Sequence, residues 1–133
     1  MCRRARWIEY SALESGLDRF VKLDKDCDFV GKSALQAWQE RGFVNSFVTL
    51  EVHDIDDADA RGSEGIYSGG ELVGRATSGG FGFRVNKSLA LGLVKTAYAV
   101  EGKELEIEIL GKKHRTTVIA ESAFDSDNAA LRS

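Results

Sequence analysis

The alternation of apolar and polar residues after position 42 constrains the fold of this chain more than any other feature. Leu105, Ile107 and Ile109 alternate with glutamates, so one face of this segment is apolar and the other is acidic. Such a period of two predicts a half-buried β-strand, whereas an amphipathic helix repeats about every 3.6 residues. The range 43–53 shows the same period, and the apolar run 89–94 predicts a further strand.

Glycine-containing turns separate these segments and indicate how the strands pair. Ser68-Gly69-Gly70 lies between two strand-forming segments and predicts a β-hairpin. Gly111-Lys112 predicts a second hairpin, in which Glu108 lies opposite Arg115. In that register one face is shared by two sets of residues, namely 105, 107 and 109 and residues 114, 116 and 118. About six short strands joined by glycine turns favour a mainly β fold, an antiparallel barrel with Greek-key or jelly-roll-like connections.

One segment has helical periodicity instead. The range 31–41 predicts a flanking helix, because four apolar residues fall on one face, namely Val30, Ala34, Leu35 and Trp38. Gly42 follows at the position where a left-handed residue ends a helix. Since Trp38 lies on the apolar stripe, we expect it to pack in the core.

The segment before this helix carries a helix-start signal. Ser11-Ala12-Leu13-Glu14 has the form of a capping box, in which the serine hydroxyl and the glutamate carboxylate each accept from a backbone N–H. Because Gly16 follows closely, we expect one or two helical turns and not a long helix. The range 20–23 predicts a short strand or an extended lead-in.

Size, charge and cysteine content limit the class of protein. The 133 residues match one domain, include no proline and carry a net charge of −3, which does not favour general binding to nucleic acid or anionic lipid. No apolar run approaches the roughly 20 residues that span a bilayer, so we expect no membrane partner. Cys2 and Cys27 are too few for a disulfide framework. They indicate reduced thiols and a cytoplasmic location, or the mitochondrial matrix in a eukaryote.

The patterns that would indicate a metal or a catalytic site are incomplete. The acidic range 54–59 begins like a calcium loop, but its fifth, sixth and twelfth positions hold residues that do not fit the loop. His53 and His114 lack the ligand spacing of a metal site, and we expect His114 to be a partly buried structural residue. No nucleophile motif or phosphate loop is present. The sequence therefore predicts no metal site and no catalytic residue within these 133 residues.

The stretch GGFGFRVNK, residues 79–87, has the centre of an RNA-binding signature without its ends. Gly80-Phe81-Gly82-Phe83 matches the middle of the aromatic RNA-recognition motif. Gly79, Arg84 and Asn86 stand where that motif requires a basic residue, a valine and an aromatic residue. We therefore do not expect an RNA-recognition fold, which also needs two helices where only one is predicted.

Taken in order, several segments resemble the C-terminal barrel of the aminomethyltransferase family. That family includes the glycine cleavage T-protein and the folate-binding halves of dimethylglycine and sarcosine dehydrogenases. The resemblance covers residues 11–133 and rests on five segments, namely Leu13–Lys25, Asp28–Leu35, Val73–Gly82, Lys87–Gly92 and Glu121–Asp125. Two details are closer to the dehydrogenase-linked members, namely Leu17–Phe20 and Gly82–Val85.

The resemblance implies one module of a larger enzyme. Family members use tetrahydrofolate to accept a one-carbon unit, and two preceding domains hold most of the folate, the catalytic aspartate and a folate-gripping glutamate. By this resemblance, residues 1–19 are a connector from an upstream domain, residues 20–124 are the barrel and residues 125–133 are a tail. The implied partner is an upstream folate-binding domain or subunit, and FAD enters only if a dehydrogenase domain is attached. The isolated chain is expected to be inactive.

Three basic residues are predicted to contact the cofactor. A basic residue at the position of Lys25 lies near the site in some members of the family. The T-protein has an aromatic residue near the C-terminus where this chain has alanine, so Arg132 is expected to serve instead. Arg84 follows the family's Thr-Ser-Gly strand in a segment that we interpret as a glycine-rich loop.

In that loop the glycines are expected to allow positive φ and close backbone approach. One of Phe81 and Phe83 is expected to reach the core, while Arg84 and Lys87 stay free for a neighbouring domain or an anionic ligand. Two alternatives remain open. In the first, the chain is a small barrel that binds single-stranded nucleic acid through these four residues. In the second, it is an interaction domain for a protein partner.

Overall fold

The computed structural model describes residues 10–55 and 58–132. Residues 1–9, 56–57 and 133 lie outside the described residues, so the predictions for Cys2, for the first part of the connector and for the middle of the acidic range fall outside it as well. The described residues form six strands and two helices, namely α1 (Lys32–Arg41), β1 (Asn45–Val52), β2 (Gly65–Ser68), β3 (Glu71–Gly82), β4 (Lys87–Lys95), β5 (Glu104–Ile109), β6 (Lys112–Ile119) and α2 (Ala129–Arg132). No described helix is long and apolar enough to cross a membrane.

The six strands close into one barrel. Their order around the barrel is β1-β4-β3-β2-β5-β6, and every pair of neighbours is antiparallel. Hairpins join β2, β3 and β4, and β5 then returns to lie beside β2, which is a Greek-key connection. The predicted six-stranded antiparallel barrel with one flanking helix is confirmed.

The period of two in the sequence fills the barrel interior. On β5, Leu105, Ile107 and Ile109 are buried while the glutamates between them face outward. Ile107 is fully buried, and burial of a side chain of this size contributes about 1.5–3 kcal/mol. The other strands contribute inward-facing residues in the same way, among them Leu50, Ile66, Val73, Val94 and Val118.

The β5–β6 hairpin has the predicted faces but not the predicted register. Its turn is Leu110-Gly111, with φ of 49° and 79°, and Glu108 lies opposite Lys113 instead of Arg115. A two-residue turn of this kind needs positive φ at both central positions, which Gly111 adopts readily and Leu110 adopts against the preference of its residue type. The shift is two residues, so the buried residues of β5 and β6 still share the inner face.

The other predicted hairpin is confirmed. Gly69 and Gly70 form the turn between β2 and β3, with φ of 57° and 86°. Positive φ at both positions gives the turn a twist that matches the flanking strands.

The capping box is confirmed and fixes the N-terminal segment to β1. The backbone N–H of Ser11 donates to Glu14 Oε2 at 3.1 Å, and the N–H of Glu14 donates to Ser11 Oγ at 3.2 Å. The N–H of Phe47 on β1 donates to the carbonyl of Glu14 at 3.0 Å. The range 20–23 was predicted to be a short strand or an extended lead-in. The strand is wrong, since Asp18–Phe20 is a 3-10 helix, and Val21 has the extended conformation of a lead-in. The N–H groups of Phe20 and Val21 donate to the carbonyls of Leu17 and Asp18, at 3.0 and 2.9 Å, so this backbone is paired within a local turn and not with a neighbouring strand.

Helix α1 forms where it was predicted, but it does not enter the core. Gly31 and Gly42 flank it with φ of 93° and 83°. No residue of the helix is buried, and Trp38 is only partly buried, with the Arg41 guanidinium 5.3 Å from its ring centroid. The prediction that Trp38 packs in the core is therefore wrong, because strand residues already fill the barrel interior.

Candidate functional site

The stretch 79–87 is mostly strand and not the loop that the sequence predicted. β3 continues to Gly82, and the connection to β4 is confined to residues 83–86. None of the three glycines has positive φ, but Gly79 does allow close approach, since an added Cβ would lie 2.7 Å from the Ala60 carbonyl oxygen. The expectation of positive φ is wrong, and that of close backbone approach is confirmed at Gly79.

Two exposed phenylalanines mark the tip of this hairpin. Phe81 is 42% exposed and Phe83 is 87% exposed, so the expectation that one of them reaches the core is wrong. Their rings pack edge to face, with centroids 5.1 Å apart. Phe81 lies on β3 opposite Ser88, whereas Phe83 lies in the connection between β3 and β4.

Both basic residues of this stretch have a partner within the chain. The Arg84 guanidinium lies over the ring of Phe124 at 4.6 Å from the centroid. Lys87 Nζ lies 2.7 Å from Glu51 Oε2 on β1. The expectation that both cations are free of intramolecular partners is wrong.

The remaining predicted cofactor-contacting residues lie at the two ends of the chain. Lys25 is exposed in the segment before α1, where its carbonyl and that of Cys27 accept hydrogen bonds from Lys32 Nζ. Arg132 is exposed on α2, in the segment after β6 that also contains Phe124. The contact between Arg84 and Phe124 therefore links Arg84 to the segment that carries Arg132, whereas no described hydrogen bond or ring contact joins Lys25 to either arginine.

A groove on the outer face of the barrel escaped the sequence analysis. It has a volume of about 800 Å³ and lies between the β2–β3 turn and strands β5 and β6, with His53, Tyr67 and Arg115 among its lining residues. His53 Nε2 is 2.9 Å from Thr117 Oγ1, and Arg115 pairs with Asp54 Oδ2 at 3.1 Å. Lys25, Arg84 and Arg132 do not line this groove. Only the Gly69-Gly70 turn signal pointed to this part of the surface.

No cluster of three or more histidine, cysteine, aspartate or glutamate residues that could hold a metal ion occurs among the described residues. His114, predicted to be a partly buried structural residue, is partly buried with its Nδ1 3.1 Å from the Asp54 carbonyl oxygen. On the surface, the hydrogen bond of Lys95 with Glu71 raises the pKa of Lys95.

Four of the exposed large apolar side chains lie in the segment that precedes the barrel. We call four of them the N-terminal apolar surface, namely Phe20, Phe29, Val30 and Val44. Val30 is fully exposed, although it begins the apolar stripe of α1. Single apolar residues on a surface are ordinary, whereas a contiguous group of them is typical of an interaction surface.

Comparison with protein families identifies the barrel. Residues 45–125, more than half of the chain, match the model of the glycine cleavage T-protein C-terminal barrel domain. A solved structure, the crystal structure of glycine cleavage system aminomethyltransferase T from Bartonella henselae, superposes with a TM-score of 0.74 at 26% sequence identity. That superposition covers 84% of this chain and 31% of the Bartonella chain.

Curated relatives agree with this match and are much longer than the chain. The mitochondrial dimethylglycine dehydrogenase of Mus musculus is 39% identical over 120 residues, which are 90% of this chain and 14% of that protein. An aminomethyltransferase of Desulfitobacterium hafniense is 40% identical over 111 residues, which are 84% of this chain and 30% of that protein. The chain thus spans less than a third of each of these two relatives.

Proposed function

The chain belongs to the glycine cleavage T-protein C-terminal barrel family, and on that premise we propose that it serves as the barrel module of a tetrahydrofolate-dependent one-carbon transfer protein. The larger protein is of the aminomethyltransferase or dimethylglycine dehydrogenase type. The module helps to close the folate site from one side and is not catalytic alone. FAD belongs to the assembly only where a dehydrogenase domain is attached.

The observation that carries this proposal is the N-terminal apolar surface. Its four residues lie in the segment that leads into the barrel, and its most exposed member, Val30, adjoins a helix with no buried residue. In each of the two relatives, the part that does not match this chain is more than twice as long as the part that does. We assign the surface to contact with a preceding folate-binding domain, since burial of apolar side chains is the main favourable term in such contacts.

The charges of the exposed basic residues suit an anionic ligand held mainly by another domain. Lys25 and Arg132 are exposed cations, and folate carries carboxylates that such cations can pair with. Folate, when bound, supplies the carrier atom that accepts the one-carbon unit. The 800 Å³ groove does not include the predicted cofactor-contacting residues. We therefore assign to this chain contact with one side of the folate only.

A chimera tests the proposal. In the Desulfitobacterium aminomethyltransferase, this chain replaces the matching C-terminal part, and tetrahydrofolate-dependent methylene transfer is measured. We expect the chimera to be active and the isolated chain to be inactive and to bind a tetrahydrofolate analogue weakly or not at all. Robust transfer by the 133 residues alone would overturn the proposal.

A charge placed on the apolar surface sharpens the same test. Val30→Glu should destabilise the chimera and lower its activity, yet change the stability of the isolated chain by no more than about 0.5 kcal/mol, because Val30 is exposed there. Val100→Glu, at an exposed valine after β4, is the matched control and should leave the chimera unchanged. Equal effects of the two substitutions on the stability and activity of the chimera would contradict the assignment of the N-terminal apolar surface to contact with a preceding domain.

The second candidate function is binding of single-stranded nucleic acid. The exposed pair Phe81 and Phe83 favours it, since bases stack on such rings beside cations. The partners of Arg84 and Lys87 and the net charge of −3 speak against it. Salt-dependent retention of a single-stranded oligonucleotide that is lost on combined Phe81→Ala and Phe83→Ala would favour this function, and no retention at low salt would eliminate it.

We propose a cytoplasmic location, or the mitochondrial matrix if the source is a eukaryote. The dimethylglycine dehydrogenase relatives are named as mitochondrial proteins, which supports the second setting. Reduced Cys27, exposed before α1, suits either compartment.

A further inference from the structure

The segment after β6 turns back over the outside of the barrel. Thr49, which faces outward on β1, donates from its hydroxyl to the Glu121 carbonyl at 2.8 Å, and it is buried in spite of its outward direction. Further along the chain, Phe124 lies under the guanidinium of Arg84 at the tip of the β3–β4 hairpin. The segment after β6 is therefore held to the barrel at two points, Thr49 on β1 and Arg84 in the connection between β3 and β4.

Local hydrogen bonds continue from the second point to the end of the described chain. Ser122 Oγ donates to the Phe124 carbonyl at 2.7 Å, which fixes the backbone that carries the ring. The Asp125 carboxylate accepts from the N–H of Ala129 at 2.7 Å and from the N–H of Ala130 at 3.1 Å, and so caps α2. The N–H of Arg132 in turn donates to the Asn128 carbonyl at 3.2 Å. A series of local hydrogen bonds thus runs from Phe124 to Arg132.

We propose that Arg84 is a positioning residue, whose guanidinium clasps Phe124 and thereby fixes where the tail presents Arg132. The clasp itself rests on the geometry alone. Its consequence for folate rests on the proposed function, in which Arg132 contacts the cofactor. Arg84 suits this role because a planar guanidinium stacks on an aromatic face, whereas its neighbour Lys87 is paired with Glu51.

The expected size of the effect follows from the exposure of the pair. Phe124 is 46% exposed, so the cation–π contact belongs to the weaker, solvent-exposed class. Loss of such a contact should raise the fraction of time that the tail is detached by about two- to fivefold. The barrel strands should not respond, because neither side chain contributes to the core.

Nuclear magnetic resonance of the ¹⁵N-labelled chain tests the clasp. Ring currents of Phe124 should shift the Arg84 side-chain protons, and Phe124→Ala should abolish that shift. Arg84→Ala and Phe124→Ala should each lower the heteronuclear NOE of Ala129 and Ala130, and the double variant should lower it no further, since both remove one contact. Phe124→Tyr keeps the ring and should keep the order of the tail.

Arg19→Ala is the matched control. It removes a cation that lies 4.8 Å from the Phe20 ring centroid, in the N-terminal segment, and should leave the tail unchanged. Unaltered NOE values in both Arg84→Ala and Phe124→Ala, or additive losses in the double variant, would overturn the clasp.

The chimera separates this inference from the proposed function. A looser tail in Arg84→Ala together with reduced transfer supports both. A looser tail with unchanged transfer supports the clasp and contradicts the role of Arg132 at the folate site. An unchanged tail contradicts the clasp whatever the activity of the chimera.

Discussion

Gly74→Ala should be among the most destabilising small substitutions in this barrel. Gly74 lies in the middle of β3, opposite Ile66 on β2 and Val94 on β4. An added Cβ would lie 2.7 Å from Val94 Cγ1 and 2.8 Å from Val94 Cα, closer than real Cβ contacts allow. Since a backbone atom of a paired strand cannot move aside alone, the strands must separate locally.

The magnitude follows from what overpacking costs in a closed interior. Extra methyl groups forced into well-packed sites cost about 1–3 kcal/mol, and we expect the upper half of that range because the obstacle is partly backbone. For a domain of this length, about 2–3 kcal/mol corresponds to a fall in Tm of roughly 6–15 °C. Thermal and urea denaturation followed by circular dichroism measure both quantities.

Gly80→Ala is the matched control on the same strand. Nothing lies within 4 Å of the position of its added Cβ, and its φ is not positive. The substitution should be neutral or stabilise the chain by up to about 1 kcal/mol, because alanine restricts the unfolded chain more than glycine does. A Tm of Gly74→Ala within about 2 °C of the parent, or an equal loss in Gly80→Ala, would refute the reasoning.

Three further substitutions test other parts of the structure. Ile107→Ala should cost about 2–5 kcal/mol, measured by urea denaturation, because Ile107 is fully buried, and a cost below 1 kcal/mol would contradict a filled interior. Ser11→Ala should lower the free energy of unfolding by about 1 kcal/mol and speed hydrogen exchange of the Phe47 amide, which donates to the Glu14 carbonyl. Unchanged exchange at Phe47 would count against the capping box. The pKa of Lys95 is raised above 10.5 by its hydrogen bond with Glu71, so the stabilisation from this pair is fully present below pH 10.5 and is lost as the pH rises through the raised pKa. Glu71→Gln should remove that loss from the pH dependence of Tm, and an identical alkaline profile in the variant would contradict it.

The barrel was predictable because its signal is local and repeated. Alternation in residues 105–109 and the positive-φ glycines of the β2–β3 turn each specify strand or turn without reference to the rest of the chain. The register of the β5–β6 hairpin was not predictable in the same way, because Leu110 adopts φ of 49°, a conformation that its residue type does not favour.

The failures at Trp38 and at Phe81 and Phe83 have one common cause. An apolar stripe on a helix, or an aromatic residue in a strand, indicates that the side chains are buried against another surface. It does not indicate which surface that is. Inside one chain the covering surface is assumed to be its own core. Here the closed barrel fills that core with strand residues, and the three aromatic side chains remain outside it.

The same closure determines where function can lie in this domain. The six strands follow one another in a closed order, and the interior is packed with aliphatic side chains. Because core side chains fill the interior among the described residues, we expect binding to use outer surfaces and appended segments. The predicted cofactor-contacting residues follow this rule, since Lys25 precedes the barrel, Arg84 lies at a hairpin tip and Arg132 lies in the tail. Such groups can orient and enclose a ligand only against a second body, which is the physical reason to expect activity in the chimera and not in the barrel alone.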